Sequence, residues 1–263
     1  MITDEVLAAF DAQVRRGLGS VSPAVRVERD ERVIRCVSVG PGGWAAVVWT
    51  DLDRATADAV IAEQVRFYDE LGSSFEWKYY AYDNPPDLPN RLEAAGFVPD
   101  QAEALMVADA EVGALVGGGE DPAGVRIVAV DDAVGVGHFM TAQQGAFGTN
   151  HSDVAETLRE QMVGPEPAVV GIVALVDGQP VASSRIEFNE GTQFAGLWGG
   201  GTVPEWRGRG IYQAMVRRRA QLALQRGYRY LQVDALPTSE PILHRLGFVR
   251  LTTTVPFNHS PGS

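Results

Sequence analysis

The stretch from Phe194 to Tyr212 constrains this chain more than any other. Phe194 to Val203 is apolar and glycine-rich and reads as a strand. Pro204-Glu205-Trp206 turns it, Arg207-Gly208-Arg209-Gly210 follows, and a helical pattern begins at Ile211. A strand, a glycine turn and a helix N-terminus in that order aim unpaired backbone N–H groups and the positive end of the helix at one point, which favours a phosphate group. Gly208 and Gly210 carry no Cβ, so a bulky anion can approach the backbone there. Arg207 and Arg209 add positive charge in a form that suits phosphate oxygens.

The spacing excludes two commoner phosphate loops. A Walker loop needs Gly, four residues, then Gly-Lys-Ser/Thr, and a dinucleotide fingerprint needs three spaced glycines before its helix. Neither occurs here.

Upstream, residues 3–17 read as an amphipathic helix, followed by strands from Val25 to Val39 and Trp44 to Thr50. A helix from Thr56 to Leu71 ends at Gly72, an aromatic strand covers Phe75 to Tyr82, and Leu88 to Ala95 is a short helix ended by Gly96. An extended run from Phe97 to Val107 closes this first unit. Gly117-Gly118-Gly119 and Asp121-Pro122 give residues 110–124 the chemistry of a linker.

The second unit opens with a strand from Val125 to Val130. Helices are expected over Asp131 to Gly145 and Ser152 to Met162, with a loop from Gly145 to His151 between them. Val169 to Val176 and Val181 to Phe188 form a hairpin around Asp177-Gly178. After the glycine turn, apolar residues at 211, 212, 215, 216, 220, 223 and 224 repeat with helical period, opposite Arg217, Arg218, Gln221 and Gln225. A strand from Tyr230 to Ala235, a short helix from Ser239 to Leu246 and a strand from Phe248 to Phe257 complete the chain.

Arg207-x-x-Gly210 after Thr202-Val203-Pro204 resembles the pyrophosphate loop of the GNAT superfamily of acyl-CoA-dependent N-acetyltransferases. The element order of residues 125–257 is also that of the GNAT fold. The first unit shares weaker punctuation with it: Arg91 to Val98 mirrors His244 to Val249, each with a Gly-Phe pair between helix and strand. The helix preceding that copy starts at Asp51-Leu52-Asp53-Arg54, where two acids would repel a diphosphate. The resemblance therefore implies an α/β fold of two GNAT-like domains, each a mixed, mostly antiparallel sheet flanked by helices. Residues 1–109 would be a degenerate domain without the cofactor loop, 110–124 a linker and 125–263 the acetyl-CoA-binding domain.

The same resemblance implies a cosubstrate, acetyl-CoA, held by Thr202, Val203, Arg207, Gly208, Arg209, Gly210, Ile211 and Tyr212. It implies acetyl transfer to a primary amine of a small molecule. That reaction needs a base, because an amine with a pKa of about 10 is almost wholly protonated at neutral pH, and an acid for the leaving thiolate. The tyrosine that often supplies the acid falls at Leu243 here, and the asparagine often found after the fifth strand falls at Leu236. Ser239 and Tyr212 are the hydroxyls that could substitute, although Ser239 also suits a helix cap. Base candidates are Glu187 and His151, with His138 and Asp234 beside them. The missing tyrosine keeps a second function open, a non-catalytic acyl-CoA-binding sensor or interaction module.

Composition narrows the partners. A net charge of −12 disfavours nucleic acid, which needs a basic surface. Cys36 is the only cysteine, in a strand-like run where a buried structural thiol is expected, so neither an internal disulfide nor a cysteine metal site can form. No His-x-x-x-His metal helix or nucleophile elbow occurs. No apolar run is long enough to span a membrane and the N-terminus does not read as a signal peptide, so a cytoplasmic setting is expected. Homodimerisation is compatible with all of this.

Overall fold

The computed structural model describes residues 2–40, 43–117, 121–148, 161 and 167–262. The chain divides into two compact units, each described in turn. The first comprises Met1–Leu105, Asp234–Thr238 and Arg250–Ser263, and the second Met106–Val233 and Ser239–Val249.

In the first unit, α1 (Ile2–Phe10) continues into a π-helical turn (Asp11–Arg15). The strands β1 (Val25–Arg29), β2 (Val33–Ser38) and β3 (Ala46–Thr50) form an antiparallel meander. Helix α2 (Ala57–Glu70) buries Ala57, Ile61, Gln64 and Tyr68, one stripe at helical spacing. It stops before Gly72, whose φ of 62° lies in the left-handed region that favours glycine. Then come β4 (Phe75–Tyr80), α3 (Leu88–Ala94) and the two-residue β5 (Val98–Pro99). The core on the α2 side holds Ile61, Tyr68, Phe75, Trp77, Leu92 and Phe97. Cys36 is buried on the other face, and burial pushes its thiol up to about 12, so it is the inert structural cysteine the sequence suggested.

Two features were not legible in the run of residues. Strand β3 pairs parallel with β4 only at Ala46↔Glu76 and Val47↔Trp77. The final strand, β12 (Val249–His259), pairs antiparallel with β4 from Thr254↔Tyr80 to His259↔Phe75 and sends Phe257 into the first unit's core.

The boundary between the units falls inside β6 (Glu103–Asp109). The second unit continues with α4 (Gly113–Val116), lying within the expected linker, and β7 (Val125–Ala129). Helix α5 (Ala133–Phe147) follows, capped by Asp132 through a bond from the Gly135 amide at 2.6 Å. The expected helix from Ser152 to Met162 lies outside the described residues apart from position 161. Strands β8 (Val169–Val176) and β9 (Gln179–Phe188) close a hairpin at Asp177-Gly178, both with positive φ, as a type I′ turn requires. Then come β10 (Phe194–Thr202), helix α6 (Ile211–Gln225), β11 (Tyr230–Ala235) and α7 (Glu240–Arg245). The strand order is β6-β11-β10-β9-β8-β7. Helix α5 packs on β8, β9 and β10, and α6 also packs against β9 and β10. This is the mixed α/β sheet flanked by helices that the sequence implied. Among the described residues no helix is long and apolar enough to cross a membrane.

Candidate functional site

The site grows out of β10. Its parallel pairing with β11 covers only Phe194↔Tyr230, Ala195↔Leu231 and Gly196↔Gln232. Its antiparallel pairing with β9 runs on to Thr202↔Ala182, broken by a register shift between Trp198 and Gly201. One edge of β10 is thus released beyond Gly196 while the other stays anchored. At the shift Gly199 has φ 58°, and a Cβ there would lie 3.1 Å from Arg185 and 3.3 Å from Gln143. Gln143, buried on α5, donates to the Gly199 carbonyl at 2.6 Å and fixes the distortion.

Beyond Thr202 a 3₁₀ turn over Pro204–Trp206 leads to the glycine loop. Gly208 and Gly210 have φ of 74° and 79°, and the loop from Arg207 to Gly210 is exposed. The Ala214 amide bonds the Gly210 carbonyl at 3.0 Å, so the helical ladder begins there. The amides of Ile211, Tyr212 and Gln213 precede it, as the open first turn of a helix requires. An added Cβ at Gly208 would meet nothing within 4 Å, so space above the loop is free among the described residues.

The two arginines are positioned differently from a simple phosphate fork. Arg207 donates from Nε to the Thr202 carbonyl at 3.0 Å and from Nη2 to the Ala146 carbonyl at 3.2 Å, pinning the loop to β10 and α5. Arg209 lies over the Trp206 ring, 4.4 Å from its centroid, and donates to the Glu205 carbonyl. The backbone groups at the end of β10 also have partners already: the Val203 amide donates to Val181 at 2.9 Å. The Thr202 hydroxyl is buried and unpartnered among the described residues.

Below the loop, Tyr212 turns inward. Its hydroxyl hydrogen-bonds Ser239 and Arg219, and burial raises the phenol above its ordinary value against the opposing pull of Arg219 and both bonds. Arg219 is 1 % exposed and donates to the carbonyls of Met215 (3.2 Å) and Arg185 (3.3 Å). Burial pulls its guanidinium down to about 10. Its place could have been read from the sequence. Position 219 falls four after 215 and four before 223, inside the apolar stripe of α6, where an arginine is out of keeping with its neighbours.

The other candidates scatter. Glu187 is paired with Arg185 at 2.7 Å on β9. Asp234 is 3 % exposed in the first unit, where its carboxylate meets Lys78 at 3.1 Å. His138 is half-buried on α5, and His151 lies outside the described residues. Leu243 is wholly buried, so the position of the missing tyrosine is core. Among the described residues no cluster of His, Cys, Asp and Glu could hold a metal.

The first unit carries a counterpart of the strand split. Beyond Val47 and Trp77, where β3 and β4 cease to pair, Arg15 enters. It donates from Nε to the Val48 carbonyl at 3.1 Å, lies 4.1 Å from the centroid of Tyr80 and forms a two-pronged bond to Asp83. At the start of α2, Asp53 accepts from the amides of Ala55 and Thr56, both at 2.8 Å, so a carboxylate of the chain itself takes the place an anion would take.

Residues 138–248 match the acetyltransferase (GNAT) family. A GCN5-related N-acetyltransferase from Kribbella flavida is 18 % identical with a TM-score of 0.69, the likeness covering 100 % of this chain and 96 % of that one. A tandem GNAT protein from the clavulanic acid biosynthesis pathway is 14 % identical with a TM-score of 0.64, over 92 % of this chain and 85 % of that one. A GCN5-related N-acetyltransferase from Sphaerobacter thermophilus is 14 % identical with a TM-score of 0.63, over 98 % of this chain and 91 % of that one. No curated protein matches the sequence.

Proposed function

From the match of residues 138–248 to the acetyltransferase (GNAT) family, we propose that this chain moves an acetyl group from acetyl-CoA directly to the primary amine of a small molecule. One observation carries the reading: a glycine loop with open helix-start amides lies at the end of a strand whose far edge has parted from its neighbour. The amides of Gly208 to Tyr212 would take the diphosphate, with the charge of Arg207 and Arg209 behind them. The released edge of β10, which ends at Thr202, suits the arm of the cosubstrate. Because the Val203 amide is engaged by Val181, residue 203 would contribute its side chain and the spare acceptor capacity of its carbonyl. The cosubstrate brings the thioester, and the chain supplies position and proton traffic. Glu187 or His151, through water, would take the proton of the amine, and Ser239 lies on the acid side.

In the same reading residues 1–109 are a degenerate GNAT-like domain, 110–124 a linker and 125–263 the domain that binds acetyl-CoA. The support is that Asp53 occupies the helix start and Arg15 the strand split of the first unit. A cytoplasmic setting, where acyl-CoA is plentiful, goes with it.

Acetyl-CoA consumption measured against a broad panel of amines tests the assignment, and calorimetry of coenzyme A binding should give one site per chain. Turnover with at least one amine is the expected result. The buried Leu243 favours a second reading, an acyl-CoA-responsive module without turnover. Firm coenzyme A binding with no consumption across the panel would establish that reading instead.

A further inference from the structure

Arg219 is a cation sealed into the second unit with no carboxylate beside it among the described residues. A buried charge without a counter-ion is costly, and an apolar residue at this helical position would pack at lower cost. Such a group is retained to good effect where negative charge arrives beside it during a reaction. Its surroundings indicate where. A Cβ on Gly200, in the part of β10 released from β11, would lie 3.1 Å from the Tyr212 ring and 3.5 Å from Arg219 Nη2. Tyr212 is thus pressed against the open stretch of strand, with Arg219 behind it and Ser239 at its hydroxyl. Ser239 stands one helical turn before Leu243.

Resting on the acetyl-CoA reading, we propose that Tyr212 is the proton donor to the leaving sulfur and that Arg219 is its positioning residue. As the carbon–sulfur bond breaks, its electron pair goes to sulfur and the Tyr212 hydroxyl gives its proton to that sulfur. Arg219 offsets the charge left on the phenolate. The phenolate regains a proton through the Ser239 hydroxyl from water, and the amine's two lost protons balance the one on the thiol and the one released to solvent. The groups facing Tyr212 are Arg219 on its own helix, Ser239 ahead of α7, and Arg185 of β9 through Arg219, the last already paired with Glu187.

The first readout needs no acceptor amine. Free coenzyme A bound to the protein is titrated by the ultraviolet absorbance of its thiolate, with the complex of desulfo-coenzyme A as baseline. The thiol bound to the unsubstituted protein should titrate at lower pH than free coenzyme A, and Arg219→Met should return it toward the free value. Arg219→Lys, which keeps the charge, should preserve part of the shift and guards against a folding defect in the first variant. The second readout is kinetic. Tyr212→Phe keeps the ring and removes the hydroxyl, so kcat should fall about a hundredfold while KM for acetyl-CoA stays unchanged. A bound thiol that titrates alike in the unsubstituted protein and Arg219→Met, or a Tyr212→Phe variant with unaltered kcat, overturns the proposal and leaves the acetyl-CoA reading standing. Failure of coenzyme A to bind the unsubstituted protein at all overturns both.

Discussion

Arginine has four separate uses in this chain, each set by what surrounds the guanidinium. Arg207 ties a loop to two carbonyls, Arg209 stacks on an indole, Arg219 is buried without a counter-ion among the described residues, and Arg15 is buried with one. Burial opposes the charge on Arg15, but Asp83 and the rings of Tyr82 and Tyr80 outweigh it and hold the group above its ordinary value. Removing one partner of a buried pair strands the other. Arg15→Met should therefore lower the unfolding free energy by about 3–5 kcal/mol, measured by denaturant titration. Adding Asp83→Asn should recover part of that loss, and a double variant no more stable than the single one would contradict the pairing. Neither Arg15 nor Arg219 declared its role in the sequence, because a periodic pattern records which face a residue occupies and not which partner waits there.

The strand–loop–helix element was legible for the opposite reason: its conformation is written in residue types. Glycines at 208 and 210 mark positive φ, and Pro204 marks the turn before them. Space is not what demands glycine at 210, since the nearest atom to an added Cβ is Pro122 Cγ at 3.8 Å. The φ of 79° demands it. Gly210→Val should keep the fold but let the loop relax. Re-imposing the left-handed conformation on a bound ligand then costs about 1–2 kcal/mol, or about a five- to thirtyfold loss of coenzyme A affinity by calorimetry. Unaltered affinity would mean that this loop does not hold the diphosphate. The neighbouring register shift in β10 was less legible. Its run of glycines signals close approach without saying whether a ligand, a bulge or, as at Gly199, Gln143 and Arg185 make the approach.

At the scale of the molecule, the chain's end does work far from its sequence neighbours. Strand β12 covers β4 along six residue pairs and places Phe257 in a core otherwise built from residues 33–97. Residues 1–109 expressed alone should then show no cooperative thermal unfolding by circular dichroism. A melt like that of the full chain would show β12 to be dispensable. The first unit also gathers Lys78 with Glu76, Glu103 and Asp234. Burial raises the Glu76 carboxyl above its ordinary value, against Lys78 and a bond from Trp44. A carboxyl whose folded value is raised stabilises the fold below its unfolded value, and that contribution is lost as pH rises through the folded one. Glu76→Gln removes the dependence. Its melting temperature relative to the unsubstituted protein should therefore rise between pH 4 and pH 7, and a difference that shrank over that interval would contradict the sign.

By itself the amino-acid sequence determined the fold class, most element positions and the glycine loop, because each of these is encoded locally in periodicity, turn chemistry and permitted backbone angles. Only the tertiary structure decided which strands part, which unit receives the last strand, and which charges are buried together. Those outcomes depend on pairings between residues far apart in the chain, and a pairing energy has no signature in either partner alone.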